Sequence, residues 1–184
     1  MKLLRKTEGF SLIEILVVIA IIGVLSAIVV PSFISGMPTR RLKSAARDLY
    51  GAMQQARLLA VKNNQNCTLR FGATSYYIDE DDDEVFDAGE KEVKLSIYND
   101  VQFGSGTAPT SPDQLRRIGA HSSSKASSIT FISAGTAEFS PDLINGDNTV
   151  YLQNINNPSK SFAVSVQLSG ASKISRFDGH GEWE

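Results

Sequence analysis

The stretch richest in metal-binding groups lies between residues 79 and 90, where eight of twelve side chains are carboxylates. Counted from Asp79 as position 1, carboxylates recur at positions 3, 5, 9 and 12, and position 7 can offer its backbone carbonyl. This is the ligand spacing of an EF-hand-like calcium loop, in which hard oxygen atoms surround the cation. The ligands predicted on this interpretation are Asp79, Asp81, Asp83, Val85, Asp87 and Glu90.

A second interpretation of the same stretch is a solvated acidic hairpin tip. Glu84 occupies position 6, where an EF-hand loop carries a glycine for its sharp turn. The flanking segments are typical of strands, whereas an EF-hand loop joins two helices. In favour of calcium, the eight carboxylates repel one another unless a cation is present. Both interpretations stay open, and calcium is the one cofactor that the sequence suggests.

Outside this stretch the sequence offers little catalytic chemistry. Cys67 is the only cysteine, so no disulfide forms within the chain, and we expect a buried thiol there. The two histidines, His121 and His180, lie in separate segments. The sequence contains no zinc-protease helix, nucleophile elbow or phosphate-binding glycine loop. We therefore expect no enzymatic activity.

A lone acid, Glu14, lies within an apolar run that extends from Phe10 to Val30. As a helix this run is about 32 Å long, enough to cross the core of a bilayer. A carboxylate in such a helix is costly unless it has a cationic partner. If the chain is cut between Gly9 and Phe10, the new amino group of Phe10 is such a partner, in the same chain or in a neighbour. Three basic residues precede the run and favour a cytoplasmic N-terminus: Lys2, Arg5 and Lys6.

This arrangement resembles the class III signal of type IV pilins and type II secretion pseudopilins. The matching residues are the leader 1–9, the segment Phe10-Ser11-Leu12-Ile13-Glu14 and the apolar run closed by Pro31. The resemblance implies that a prepilin peptidase cuts after Gly9 and methylates the amino group of Phe10. It also implies that residues 10–30 form first a transmembrane helix and then an assembly helix, in which Glu14 pairs with the Phe10 amine. A plain anchor explains the length but not Glu14, and a secretory signal has a shorter apolar run.

Residues 31–62 are predicted to continue the helix after a kink at Pro31, which lacks a backbone donor. Thr39 is predicted as the N-cap where the helical pattern resumes. An apolar stripe with helical spacing then indicates a face that packs on a sheet or in a coiled coil: Leu42, Ala46, Leu49, Met53, Ala56 and Ala60. Basic residues elsewhere on this segment are either solvated or face acidic neighbours: Arg40, Arg41, Lys43, Arg47, Arg57 and Lys62.

Residues 63–184 are predicted to form an antiparallel β domain, because the apolar period changes to two. The predicted strands are Cys67–Phe71, Ser75–Ile78, Glu92–Tyr98, Ser128–Ile132, Ala137–Phe139, Thr149–Gln153, Phe162–Leu168 and Lys173–Phe177. A short helix is predicted over 113–118, within a long loop over 104–127. The fold class is therefore α+β, with one long N-terminal helix packed on an antiparallel β domain, and the resemblance implies the pilin fold.

The C-terminal half is similar to the GspH/FimT group of minor pseudopilins and minor pilins. The residues that carry this similarity are Ser128–Ala137, Thr149–Gln153 and Phe162–Val166. It implies a minor pseudopilin of a type II secretion system, anchored once in the bacterial inner membrane with its C-terminal domain in the periplasm. The implied partners are the prepilin peptidase, the inner membrane and the other pilins or pseudopilins of a filament.

Three alternative functions stay open. They are a minor type IV pilin that primes pilus assembly, a DNA-binding competence pilin and a secreted enzyme with an uncleaved anchor. Nucleic acid is a disfavoured partner, because loss of residues 1–9, which carry a net +2, changes the formal net charge from −2 to about −4. The basic residues available for a nucleic-acid patch are Arg116, Arg117, Lys173 and Arg176.

Overall fold

The computed structural model describes residues 10–108, 126–139, 148–179 and 182–184. Several predicted features lie outside these residues: the leader with Gly9, the 113–118 helix, Arg116, Arg117, His121 and His180. The chain divides into two compact units, Met1–Met37 and Pro38–Glu184.

Helix α1, Leu12–Asn63, is 52 residues long and runs through both Pro31 and Pro38 without interruption. Thr39 therefore lies inside the helix, and its predicted role as an N-cap is wrong. The physical reason is that the fixed φ of proline is itself helical, so that each proline removes one backbone hydrogen bond without ending the helix. The kink at Pro31 stays a prediction.

In the first unit, α1 exposes an apolar surface on all sides. It is long and apolar enough to cross a membrane, and none of its most apolar 18-residue window is buried. In an aqueous monomer this surface would forfeit roughly 25 cal/mol for each Å² left in water. The segment therefore requires a lipid environment or other helices around it.

In the second unit, α1 buries the predicted stripe. Leu42, Ala46, Leu49, Met53 and Ala56 are completely buried, and Ala60 is almost so. Ala45 and Ala52 extend the same buried face. Five of the eight buried residues of this face are alanine, so the helix backbone can approach the sheets closely. The prediction of a helix packed on a sheet is confirmed.

The β domain consists of nine strands among the described residues: β1 Cys67–Phe71, β2 Ser75–Asp79, β3 Glu92–Lys94, β4 Val101–Phe103, β5 Ser128–Phe131, β6 Ala137–Phe139, β7 Thr149–Asn154, β8 Ser161–Val166 and β9 Ser172–Phe177. They form two sheets with the orders β3-β2-β1-β5-β6 and β4-β7-β8-β9. Every pairing between these strands is antiparallel, which confirms the predicted fold class.

The connection between the two sheets differs from the prediction. The strand predicted over Glu92–Tyr98 stops at Lys94, and Leu95–Tyr98 forms a 3₁₀ turn. Leu95 is buried and Ile97 is 65% exposed, so these two residues do not share a face as they would in a strand. The turn ends at Asn99, which has a positive φ of 57°, and the chain then enters β4. Strand β4 was not predicted.

Candidate assembly and ion-binding sites

Phe10 and Glu14 lie at the start of α1 and line the same groove. Phe10 precedes the first helical turn and is 81% exposed. The backbone amide of Glu14 donates to the Ser11 carbonyl at 3.1 Å, which places the acid in the first turn. A carboxylate there is also favoured by the partial positive charge of the helix N-terminus. Together with Ile15, Val18 and Ile19, the two residues line a shallow groove of about 250 Å³.

This geometry suits an ion pair at the end of the helix. Both residues line the same groove, so an amino group on Phe10 would place its positive charge near the Glu14 carboxylate. In the uncleaved chain the nitrogen of Phe10 is part of a peptide bond and carries no charge. The pair therefore depends on cleavage, and it stays a prediction.

The acidic loop contains one cluster that could hold a cation. Asp79, Asp81 and Asp83 each place one carboxylate oxygen within 4.8 Å of the other two. These are three of the six predicted ligands. Asp81 and Asp83 are exposed, whereas Asp79 is completely buried.

The buried carboxylate of Asp79 already has partners on its own chain. The Nε of Arg70 donates to Asp79 Oδ2 at 2.6 Å. The backbone amides of Asp83 and Glu84 donate to Asp79 Oδ1 and Oδ2 at 3.2 and 3.1 Å. Burial lowers the pKa of Arg70, but the hydrogen bond and charge of Asp79, with Glu84 and Asp82, raise it overall. Arg70 therefore supplies a permanent cation inside the loop.

Other predicted ligands are used to fold the loop. Glu90 accepts the backbone amide of Glu80 on one oxygen and that of Asp87 on the other, both at 3.0 Å. Asp83 Oδ1 accepts the amide of Val85 at 2.8 Å. A calcium ion would have to compete with these hydrogen bonds or share their oxygen atoms. Calcium binding stays a prediction.

The sharp turn of the loop forms without a glycine. Glu84, at the position where an EF-hand loop carries glycine, has a φ of 71°, and Asp82 has a φ of 60°. Left-handed backbone costs roughly 1–2 kcal/mol for a residue with a side chain. Asp82 is held by Thr68, whose hydroxyl donates to its carboxylate at 2.6 Å, and by Arg70 at 3.3 Å. These tertiary hydrogen bonds stabilise the strained turn.

Thr68 and Arg70 were missed in the sequence analysis, although a signal for them exists. Both belong to β1, and antiparallel pairing sets Thr68 opposite Asp79 and Arg70 opposite Tyr77. A hairpin drawn from the two predicted strands would have placed a basic side chain beside the acidic loop.

The single thiol is buried, as predicted. Cys67 is free and 1% exposed. Burial raises its pKa to about 12, and the neighbouring acids, Glu80 and Asp79 first among them, add to the shift. Because the thiolate is the reactive form, this thiol is unreactive at neutral pH.

Some of the basic residues predicted to be solvated contact their own domain instead. Arg57 donates to the carbonyls of Gly135 at 2.8 Å and Ser169 at 3.2 Å. Arg41 forms an ion pair with Asp100 at 3.3 Å. For these two residues the prediction of a purely solvated face is wrong, because loops of the β domain come within hydrogen-bond distance.

The residues considered for a nucleic-acid patch are partly neutralised. Arg176 pairs with Glu184 at 2.6 Å and with Asp178 at 3.6 Å. Neutralisation of this kind weakens the attraction of the surface for phosphate.

Comparison with known proteins identifies two matching family profiles. Residues 45–170, more than half of the chain, match the family described as Type II transport protein GspH. Residues 4–30 match the prokaryotic N-terminal methylation motif. No curated protein sequence matches the chain.

Two solved structures also match, both of the minor pseudopilin EpsH from the type II secretion system of Vibrio cholerae. The first is 13% identical, with a TM-score of 0.46, and the alignment covers 73% of this chain and 95% of that one. The second is 14% identical, with a TM-score of 0.46, and covers 73% of this chain and 93% of that one.

Proposed function

This chain belongs to the GspH family of type II transport proteins, and from that premise we propose that it is a minor pseudopilin, a structural subunit of the filament of a type II secretion system. The observation that carries the proposal is helix α1. Its first half has an uncovered apolar surface, and its second half is packed against the β domain. A helix of this kind can leave the lipid and enter a bundle of other subunits' helices, because both environments are apolar.

We further propose the processing steps that the N-terminal methylation motif implies. A prepilin peptidase cuts after Gly9 and methylates the amino group of Phe10. Before assembly, residues 10–30 cross the inner membrane once, with the N-terminus in the cytoplasm and the β domain in the periplasm. After assembly, the Phe10 amine of one subunit pairs with a Glu14 carboxylate and sets the axial register between helices.

The match to a type II transport family favours secretion over the other functions considered. A type IV pilus subunit would share the N-terminal motif, so the motif alone does not separate the two systems. A DNA-binding pilin would need an uncompensated basic surface, and the ion pairs of Arg176 count against one. The proposed role is structural.

Processing provides the most direct test. In cells that express the prepilin peptidase, we expect the N-terminal residue of the mature chain to be methylated Phe10, as measured by mass spectrometry. Gly9→Ala is expected to block or slow this cleavage, whereas Lys6→Ala, which alters the same leader away from the scissile bond, is expected to be processed. A wild-type chain that keeps residues 1–9 in such cells would contradict the proposal.

A further inference from the structure

A groove in the second unit is not used by any of the functions above. It has a volume of about 440 Å³ and lies between α1 and the corner formed by β3 and the 3₁₀ turn. One wall is a stripe of α1 that includes Arg47, Asp48 and Gly51. Residues on the opposite side include Tyr76, Lys91 and Tyr98.

Tyr76 contributes a polar group that has no partner. Its side chain is 1% exposed, and among the described residues its hydroxyl has no hydrogen-bond partner. A buried hydroxyl that makes no hydrogen bond is destabilising, and such groups are uncommon in native structures unless a ligand or water satisfies them. Burial raises the pKa of Tyr76, as do the neighbouring Tyr98 and Asp48, so the hydroxyl remains a proton donor.

The charges of the groove favour an anion. Within the described part of the chain, the side chains of Arg47 and Lys91 form no hydrogen bond or ion pair. The one acid, Asp48, accepts the hydroxyl of Tyr98 at 2.7 Å. The groove lining therefore carries two cations and one carboxylate, and the carboxylate is already hydrogen-bonded. A carboxylate ligand could pair with both cations, whereas a cationic ligand would be repelled by Arg47 and Lys91.

Gly51 keeps the groove open on the helix side. A Cβ atom built at this position meets no heavy atom within 4 Å. Glycine is among the least favourable residues in the interior of a helix, so its presence here has an energetic cost that alanine would avoid. A side chain at this position would project into open space and not into the core.

We propose that this groove binds the carboxylate side chain of an aspartate or glutamate from a neighbouring filament subunit. Arg47 and Lys91 form ion pairs with that carboxylate, and a small displacement of the groove wall on binding lets the buried Tyr76 hydroxyl donate a hydrogen bond to it. This inference rests on the proposed function, because it takes the occupant from another subunit of the filament. It adds a contact between globular domains to the contact between apolar helices.

Peptide binding to the full-length chain in detergent micelles tests the chemistry of the groove. The probes are acetyl-Ala-Glu-Ala-amide and two matched peptides with Gln or Lys in place of Glu, titrated at low salt and followed by NMR shifts at Gly51 and Tyr76. We expect the Glu peptide to bind about tenfold more tightly than the Gln peptide, the scale of one charge-assisted interaction. Equal binding of the Glu and Gln peptides, or no saturable binding of either, would overturn the inference.

Three variants localise the binding. Gly51→Leu fills the groove and is expected to abolish binding without lowering Tm, because leucine is the better helix former. Ser44→Leu, an exposed position on the same helix outside the groove lining, is the matched control and should bind normally. The double variant Arg47→Glu with Lys91→Glu is expected to prefer the Lys peptide. Unchanged peptide preference in the double variant, or normal binding by Gly51→Leu, would exclude this groove.

Assembly in cells separates this inference from the proposed function. If the wild type and Gly51→Leu are both cleaved after Gly9 but Gly51→Leu enters filaments at least several-fold less, the groove is a subunit contact. If both are cleaved and incorporated equally, the groove inference fails while the pseudopilin proposal stands. If the wild type is not cleaved, the proposed function fails, and with it the assignment of the occupant to a filament subunit.

Discussion

At the scale of single residues, two acids have opposite requirements. Asp79 is buried and already paired with Arg70 at 2.6 Å, so its charge is compensated within the chain. Glu14 is exposed at the start of an apolar helix, and among the described residues it has no ion-pair partner. The first acid stabilises a loop, whereas the proposed function gives the second a cation that arises only on cleavage. On that proposal the same side-chain chemistry serves folding in one place and assembly in the other.

Replacement of Glu14 should separate assembly from insertion. We expect Glu14→Gln to be inserted in the membrane and cleaved normally, but to enter filaments poorly. Loss of one partner from a buried ion pair costs about 3–5 kcal/mol, a factor of at least a hundred in an association constant. The measurement is the fraction of processed subunit in purified filaments. Ser11→Ala, three residues earlier in the chain, is the control, and wild-type incorporation of Glu14→Gln would contradict the register argument.

Replacement of Arg70 should test whether the acidic loop binds calcium. Arg70→Gln leaves the carboxylate of Asp79 buried without its cation, and we expect the free energy of unfolding to fall by about 3–5 kcal/mol. Millimolar calcium should then raise the Tm of the variant more than that of the wild type, because the metal replaces the missing positive charge. Thermal unfolding with and without calcium measures both effects.

The matched control for Arg70→Gln is Lys94→Gln. Lys94 is a mostly exposed cation paired with Glu92 at 3.4 Å, and such surface pairs contribute little to stability. If calcium stabilises the wild type as much as Arg70→Gln, the metal and Arg70 do not compete, and the calcium loop predicted from sequence gains support. If calcium affects neither protein, the loop is a solvated acidic tip.

At the scale of elements, helix α1 performs two tasks with two kinds of surface. In the first unit, apart from Glu14 and three serines, its exposed surface is apolar on all sides, as expected for a segment surrounded by lipid or by other helices. In the second unit the apolar residues narrow to one stripe, and exposed charges occupy the other faces. Continuity through two prolines lets one helix serve as both anchor and core element.

The stripe of α1 should dominate the stability of the second unit. Leu49→Ala removes a completely buried side chain, and we expect it to lower the free energy of unfolding by about 2–5 kcal/mol. Leu58→Ala removes the same atoms from a position on the same helix that is 69% exposed, and it should change stability by less than about 0.5 kcal/mol. Denaturant unfolding of both full-length variants in detergent gives the comparison. Equal losses would mean that the stripe is not the core face.

At the scale of the whole molecule, the two units differ in whether they contain a buried core of their own. The second unit contains its own core, which joins the helix stripe to residues of both sheets. A smaller cluster adds Tyr151, Phe177 and Trp183, with ring centroids of Trp183 about 6 Å from the other two. The first unit contains no buried residue among those described. Burial within one chain therefore accounts for the fold of the second unit only.

This asymmetry predicts that the second unit folds without the first. A chain of residues 38–184 should be soluble and should unfold in one cooperative transition, because its apolar core is complete within that range. Circular dichroism against temperature, with retention of the near-ultraviolet signal of Trp183, is the measurement. A molten or aggregated product would show that contacts outside this range are needed.

Local pattern was sufficient for much of this architecture. The helical stripe from Leu42 to Ala60 and the paired strands β1 and β2 follow from periods of 3.6 and 2, which depend only on neighbouring residues. The Phe10–Glu14 segment is likewise a local motif, and it lies within the residues that match the prokaryotic N-terminal methylation motif. Strand β4, which was not predicted, and the turn that replaced a strand at Leu95–Tyr98 are the places where local pattern was insufficient.

The sequence by itself determined the apolar helix, the fold class and the residues of the processing motif, because each of these depends on side chains that are close together along the chain. Only the tertiary structure decided that Arg70 supplies the cation of the acidic loop and that Tyr76 lines a groove with Arg47. Those relationships depend on which strands pair and on which helix face meets the sheet. The physical reason is that charge and burial are properties of the space around a residue, which distant parts of the chain create together.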